Sequence, residues 1–386
     1  MTGGHRGLGA QSELRAAVSR LGRARLVLRG ALVAALIVVA ANSLIELLTS
    51  YAPYVDAEIP LRAAERWMAG GQPYLASSFA APPGYDLPFL YPPFVLPLVA
   101  PLTLLPRAIV WTVWFGVCLA AGLFAVRRLG FRWRWVPLVL LWPPFAEAII
   151  GGNVQIVLFA AYVTLFWASR GARRTETSHD SRAPVEARDG VLAAIIPFLK
   201  ASQPHALVAL LRIRPRAAVT GTALLAGVVV ATLPLTGLGL WRAWLVQLGR
   251  AANPAWAIGG ASLTQGLPPV AGGVVLGATI VACMLLPRRR LGEWAGVLSV
   301  LGAPSLRMFD LQFCLPAMVE IRREIALVAA ILVATYTLPG LWGGIALVAI
   351  ALAAAEHYPL FSESGAMVDA STAERRAIAA SSVENM

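Results

Sequence analysis

Charged side chains are scarce in this 386-residue chain: Asp, Glu, Lys and Arg make up 13% of it, against about a quarter in soluble domains. With 58% hydrophobic residues, a water-soluble fold would have nothing with which to cover itself. Lysine is rarer still and occurs once, at Lys200. The three cysteines, Cys118, Cys283 and Cys314, lie inside apolar segments without the paired or His-partnered spacing of a metal site or disulfide framework, so buried packing is their expected role. Also missing are a P-loop, a GxGxxG turn, HExxH, a nucleophile elbow and CxxC, which removes ATP-driven, nicotinamide and zinc-protease chemistry as far as motifs can. Neither a cofactor nor a metal is expected.

What the chain has instead is a series of long apolar runs, at residues 31–48, 91–105, 109–126, 135–150, 154–168, 191–211, 217–235, 268–286, 293–301, 309–321, 325–338 and 342–355. Because ~20 helical residues cross ~30 Å of hydrocarbon, these runs predict an all-α polytopic membrane protein with about 10–12 transmembrane helices. The net charge of +12 comes almost wholly from arginine in short patches between the runs, the pattern of cytoplasmic loops rather than of a nucleic-acid face. Residues 1–30 then form a basic cytoplasmic segment, residues 31–355 the transmembrane domain, and residues 356–386 a small-residue-rich cytoplasmic tail. No small-residue cleavage pattern follows the first run, which reads as an uncleaved anchor.

Between the first two runs, residues 50–89 are the longest polar stretch before the tail and are expected outside. Residues 59–69 alternate apolar and charged side chains at helical spacing, as in an amphipathic helix on the outer surface, and Gly70-Gly71 should stop it. Two places strain a simple topology. Arg127, Arg128, Arg132 and Arg134 fall inside only if residues 135–169 form one broken span, with breaks near Pro143-Pro144 and Gly151-Gly152, or if residues 91–105 do not fully cross. The basic loop 170–189 falls inside only if residues 191–211 enter and return as two half-helices, with Lys200 and Pro204 at the turn.

Three places carry the candidate chemistry. Asp56 follows the first span, where a carboxylate meets an exterior membrane edge; the plainer reading is a helix cap or a solvated acid. Lys200 lies within an apolar stretch of a chain that otherwise uses arginine, and an intramembrane cation is a functional candidate by default, suited to an anionic phosphate. Its plainer reading is snorkelling or pairing with a carboxylate such as Glu147. Asp310, at the start of a span, either pairs with Arg307 or leaves that arginine for phosphate. His205 is a weaker candidate for sugar or phosphate, since a lone histidine is more often structural.

These residues resemble the GT-C membrane glycosyltransferases, and among them glycosyltransferase family 87, the polyprenol-phosphate-mannose-dependent type. The resemblance spans about residues 31–355 as a pattern. Its elements are Asp56, Gly70-Gly71-Gln72-Pro73-Tyr74, Tyr91-Pro92-Pro93, Leu105-Pro106, Gly152-Asn153-Val154-Gln155, the turn from Lys200 to Gln203-Pro204, and Ala303-Pro304 followed by Phe309-Asp310. It implies a GT-C-like bundle in which Asp56 is the general base and Lys200 and Arg307 contact a lipid phosphate. Asn153, Gln203 and Asp310 would then line the cavity, with His205, Glu58 and Tyr91 as further substrate-binding candidates. It also implies inverting transfer of a hexose, mannose above all, from a polyprenyl-phosphate sugar to a lipid or glycan acceptor outside a cell membrane. Asp310 stands where some members carry histidine. A transporter or lipid flippase is the alternative, since broken helices and a buried lysine suit an ion-coupled site as well. Against it stand the missing two-halves repeat and the long first exterior loop with its early acid. A non-catalytic assembly factor would be favoured by dispersed polar residues, and convergence of Asp56, Lys200 and Asp310 favours the enzyme.

Overall fold

The computed structural model describes residues 6–50, 53–76, 87–175, 204–251, 268–288, 290–303, 307–321 and 323–334. These residues form thirteen α-helices and no strand. That is what hydrocarbon requires, because a backbone removed from water must satisfy its hydrogen bonds within the segment. The helices run α1 Arg6–Ser50, α2 Val55–Met68, α3 Val95–Val99, α4 Arg107–Arg128, α5 Val136–Leu140, α6 Pro143–Ile150 and α7 Gln155–Thr175. Then come α8 Pro204–Ile213, α9 Pro215–Ala251, α10 Pro269–Leu285, α11 Leu291–Gly302, α12 Leu315–Met318 and α13 Arg323–Ala334.

Stretches in α1 (Gly22–Thr49), α4 (Arg107–Arg128) and α9 (Pro215–Ala251) are long and apolar enough to cross a membrane. Their exposed faces are apolar rather than polar. Leu26, Val38 and Leu48 of α1, Val113 of α4, and Val219, Val230 and Leu238 of α9 all stand open, the pattern of helices solvated by lipid. Five shorter apolar helices complete this set, including α10 and α11. The structure therefore has the all-α membrane architecture that the apolar runs predict, with helix lengths more uneven than a row of full spans.

Both stretches named as alternatives for the arginine patch at residues 127–134 are interrupted, while residues 191–203 of the expected half-helix pair lie outside the described residues. Residues 91–105 are not one helix: α3 passes into the 3-10 turn Ala100–Leu104, since Pro92, Pro93, Pro97 and Pro101 remove backbone donors. Residues 135–169 break twice, between α5 and α6 and again at residues 151–154. The amphipathic helix also forms, as α2, and ends where Gly70 adopts φ +77 and Gly71 N–H closes on the Arg66 carbonyl at 2.8 Å. One element runs further than its apolar run, which stops at residue 235. In α9, Pro234 and the non-helical Gly237 (φ 66, ψ 158) break the helix, which then resumes to Ala251. The resumed part is held by tertiary contacts: Trp244 Nε1 donates to the Leu90 carbonyl at 2.9 Å and Gln247 Nε2 to the Leu75 carbonyl at 3.1 Å.

The main core lies among α4, α6, α7, α11 and the 3-10 turn Met308–Cys314. Phe145, Phe159, Phe313 and Tyr162 meet there edge to face, with ring centroids 5.3–5.5 Å apart. Gly296 of α11 lies so close to the Phe313 carbonyl that any Cβ would collide with it, so this glycine sets how tightly the 3-10 turn seats. Across the bundle, α13 packs on α1 through Arg29–Glu324 (2.8 Å) and Ser43 Oγ to the Ala334 carbonyl (3.0 Å). All three cysteines are free and buried, as their apolar surroundings suggest.

Candidate active site

Asp56 is placed first by backbone bonds. Tyr54 takes a left-handed conformation (φ 60), and its ring stacks on Trp111 of α4 at 5.3 Å. Its N–H donates to the Ile150 carbonyl at 2.9 Å, and that of Asp56 to the Gly151 carbonyl at 3.0 Å. The first turn of α2 is thus docked on the turn that joins α6 to α7. Gly152 permits the approach: it has φ +70, its carbonyl accepts Trp114 Nε1 at 2.7 Å, and a Cβ on it would lie 3.0 Å from Ala57 Cβ. Asp56 lies in the first turn of α2, where the helix dipole favours a negative charge.

From there a chain of hydrogen bonds crosses the site. Asn153 Nδ2 donates to Asp56 Oδ2 at 2.9 Å, and Asn153 Oδ1 accepts the Gln155 N–H at 2.9 Å. Gln155 Nε2 donates to Asp310 Oδ1, and Asp310 Oδ2 accepts the Arg307 N–H at 2.9 Å. Segments far apart in the chain are so brought into one polar array. Asn153, Gln155 and Asp310 are buried, whereas Asp56 and Arg307 are partly exposed, so the array's accessible ends are a carboxylate and the arginine segment. Glu147 and Tyr91 belong to the same surroundings. Glu147 feels the charges of Asp56, Arg307 and Asp310, and Tyr91 those of Asp56 and Asp310. The Tyr91 carbonyl accepts the Tyr74 hydroxyl at 2.8 Å, and burial holds that phenol well above its usual range, so it stays a donor.

The other residues singled out in the sequence lie elsewhere or outside the described residues. Glu58 is buried and engaged by Arg62 Nε (3.2 Å), Arg107 Nε (3.3 Å) and Trp111 Nε1 (3.2 Å), with Arg107 also reaching Glu65 at 2.6 Å. These bonds tie α2 to α4. His205 is buried between α8 and α10, its Nε2 2.9 Å from Thr279 Oγ1. Lys200 and Gln203 fall outside the described residues. Gln155 was quoted in the sequence only as part of a motif; two amides at the mouth of an apolar helix were the available signal. Glu147 stood there only as a possible partner of Lys200. Among the described residues no group of three or more His, Cys, Asp or Glu gathers as a metal cluster would.

The array joins a partly exposed carboxylate, Asp56, to the partly exposed Arg307 segment through three buried polar side chains. The model of glycosyltransferase family 87 matches residues 89–268, a stretch that holds Tyr91, Glu147, Asn153, Gln155 and His205 but not Asp56, Arg307 or Asp310. No curated protein and no solved structure matches the chain significantly. The family match covers a little under half of the chain and, on an all-helical fold with lipid-type helix faces, supports a membrane glycosyltransferase similar to family 87.

Proposed function

We infer that the enzyme transfers a hexose, with mannose the first candidate, from a polyprenyl-phosphate sugar to a lipid or glycan acceptor at the exterior membrane face, with inversion at the anomeric carbon. Asp56 is the base. It takes the acceptor hydroxyl proton as that oxygen attacks C1 from the face opposite the phosphate; the C1–O bond breaks and its electron pair leaves on the lipid phosphate. Arg307, joined in this reading by Lys200, stabilises the charge that gathers there. A single carboxylate and one fixed cation are enough for this chemistry.

The observation that carries the reading is the 2.9 Å bond from Asn153 to Asp56, because it joins the carboxylate after the first span to the array that includes Asp310 and Arg307. A dispersed set of polar residues would have favoured an assembly factor instead. The family match supports a transferase. The donor class is tested by incubating the protein in lipid nanodiscs with polyprenyl-phosphate mannose, polyprenyl-phosphate glucose or the corresponding nucleotide sugars, and determining the anomeric configuration of any product by NMR. Product is expected from a polyprenyl-phosphate sugar alone, with the configuration opposite to the donor's. Transfer from a nucleotide sugar, or retention, would overturn the proposed donor or mechanism.

A further inference from the structure

A chain of hydrogen bonds runs from Asp56 to the Arg307 segment, and Gln155 is its middle member. Its backbone N–H holds Asn153 Oδ1, which decides which way the Asn153 amide points and leaves Nδ2 for Asp56. Its side-chain Nε2 holds Asp310 Oδ1, while the other oxygen of that carboxylate holds the Arg307 N–H. A single residue in the first turn of α7 therefore reaches toward the base in one direction and toward the cation segment in the other.

We propose that Gln155 is a positioning residue that sets the Asp56 carboxylate and the Arg307 segment in register across the site. The proposal rests on Asp56 being the base, and gives the enzyme a residue that acts on both reacting ends without meeting substrate. Burial argues for a directional role. Gln155 is fully buried and its Oε1 has no hydrogen-bond partner, a state that leucine or methionine would avoid if the side chain served only to fill space. The neighbouring apolar wall needs no amide: Ile156, Leu158 and Phe159 of the same helix are fully buried hydrocarbon. What an amide adds there is a donor aimed at Asp310. Transfer requires the attacking oxygen, the base and the departing phosphate to be aligned, so small errors in register lower turnover steeply while leaving substrate capture nearly intact.

The test uses Gln155→Glu, Asp310→Asn and the double variant in nanodiscs. Gln155→Glu sets two carboxyl groups against each other, and Asp310→Asn sets an amide donor against one of two existing donors. The double variant restores the bond with donor and acceptor exchanged, and an amide oxygen at position 310 still accepts the Arg307 N–H. Each single change is expected to lower kcat about 100-fold with KM within about threefold, and the double variant to recover to within about tenfold of the unaltered enzyme. Hydrogen exchange followed by mass spectrometry supplies a readout independent of activity: residues 53–58 and 307–314 should lose protection together in the single variants and regain it together in the double. Unchanged kcat in Gln155→Glu would overturn the proposal. So would loss that follows only the amount of folded protein, or that the double variant does not recover. If the unaltered protein transfers nothing, the exchange data still decide: coupled loss and recovery uphold the link and place the failure with the proposed function, while independent behaviour of the two segments overturns the link.

Discussion

Gly152→Val is expected to abolish transfer and to lower stability by about 3 kcal/mol or more, since two independent obstacles add. The backbone at Gly152 has φ +70, which a β-branched residue adopts only under strain. Its Cβ would also stand 3.0 Å from Ala57 Cβ and 3.2 Å from Trp114 Cδ1, and neither is the loose end of a flexible side chain. Relief would come by pushing α2 off the α6–α7 turn, which breaks the bonds from Tyr54 and Asp56 to the Ile150 and Gly151 carbonyls. Asp56 would then lose its place opposite Asn153. Gly152→Ala meets the same strain with less bulk and should fall between. Thermal unfolding in detergent together with the transfer assay checks both; a Gly152→Val protein with normal activity would mean that the docking of α2 does not position the base.

Glu58→Leu should cost about 3 kcal/mol, the lower end of what breaking a buried ion pair costs, because Arg107 keeps its bond to Glu65. Its side chain is 6% exposed and accepts from Arg62, Arg107 and Trp111, so removing the carboxylate takes one acceptor from each of them at the junction of α2 and α4. Activity is expected to fall with stability, and Glu58→Gln, which retains acceptor oxygen, should lose less of both. Denaturation midpoints measured beside the donor KM separate this from the substrate-binding role that the family resemblance suggested for Glu58. A raised KM at unchanged stability would restore that role.

The helical architecture was legible because hydrocarbon leaves few options: hydropathy marks the spans, and proline and glycine mark their breaks. Thus Gly70 ended α2 as expected, and residues 135–169 broke near both anticipated points. Where tertiary contacts overrode local signals, the sequence misled. The apolar run stops at residue 235, yet α9 resumes beyond its break at Pro234 and Gly237 because Trp244 and Gln247 find carbonyls on the loop before α3. The first apolar run begins at residue 31, and its helix extends back to Arg6, arginine being a good helix former even where it is too polar for hydrocarbon.

The site divides in the same way. Asp56, Asn153, Arg307 and Asp310 were visible as residues, through charge or through a family motif, but their contacts were not. The bonds from Asn153 to Asp56 and from Gln155 to Asp310 join positions 97 and 155 residues apart, and no periodicity predicts such a pairing. Gln155 carries no charge and opens an apolar helix, so the two amides at that mouth were its one signal and did not reveal which segments a buried amide would link. Glu58 shows the opposite case. Its partner Arg62, four residues on, could be anticipated from helix geometry, whereas Arg107 could not.

The most direct test of the account compares unaltered protein with Asp56→Asn at matched amounts in nanodiscs, following radiolabelled sugar from a polyprenyl-phosphate donor to membrane acceptors. An amide at position 56 keeps an oxygen for Asn153 Nδ2 and should leave the fold intact, while removing the group that takes the proton. Transfer is therefore expected to fall by about 1000-fold or more with little change in the unfolding midpoint. Equal transfer by the two proteins would contradict Asp56 as the base, and with it the mechanism built on the array around it.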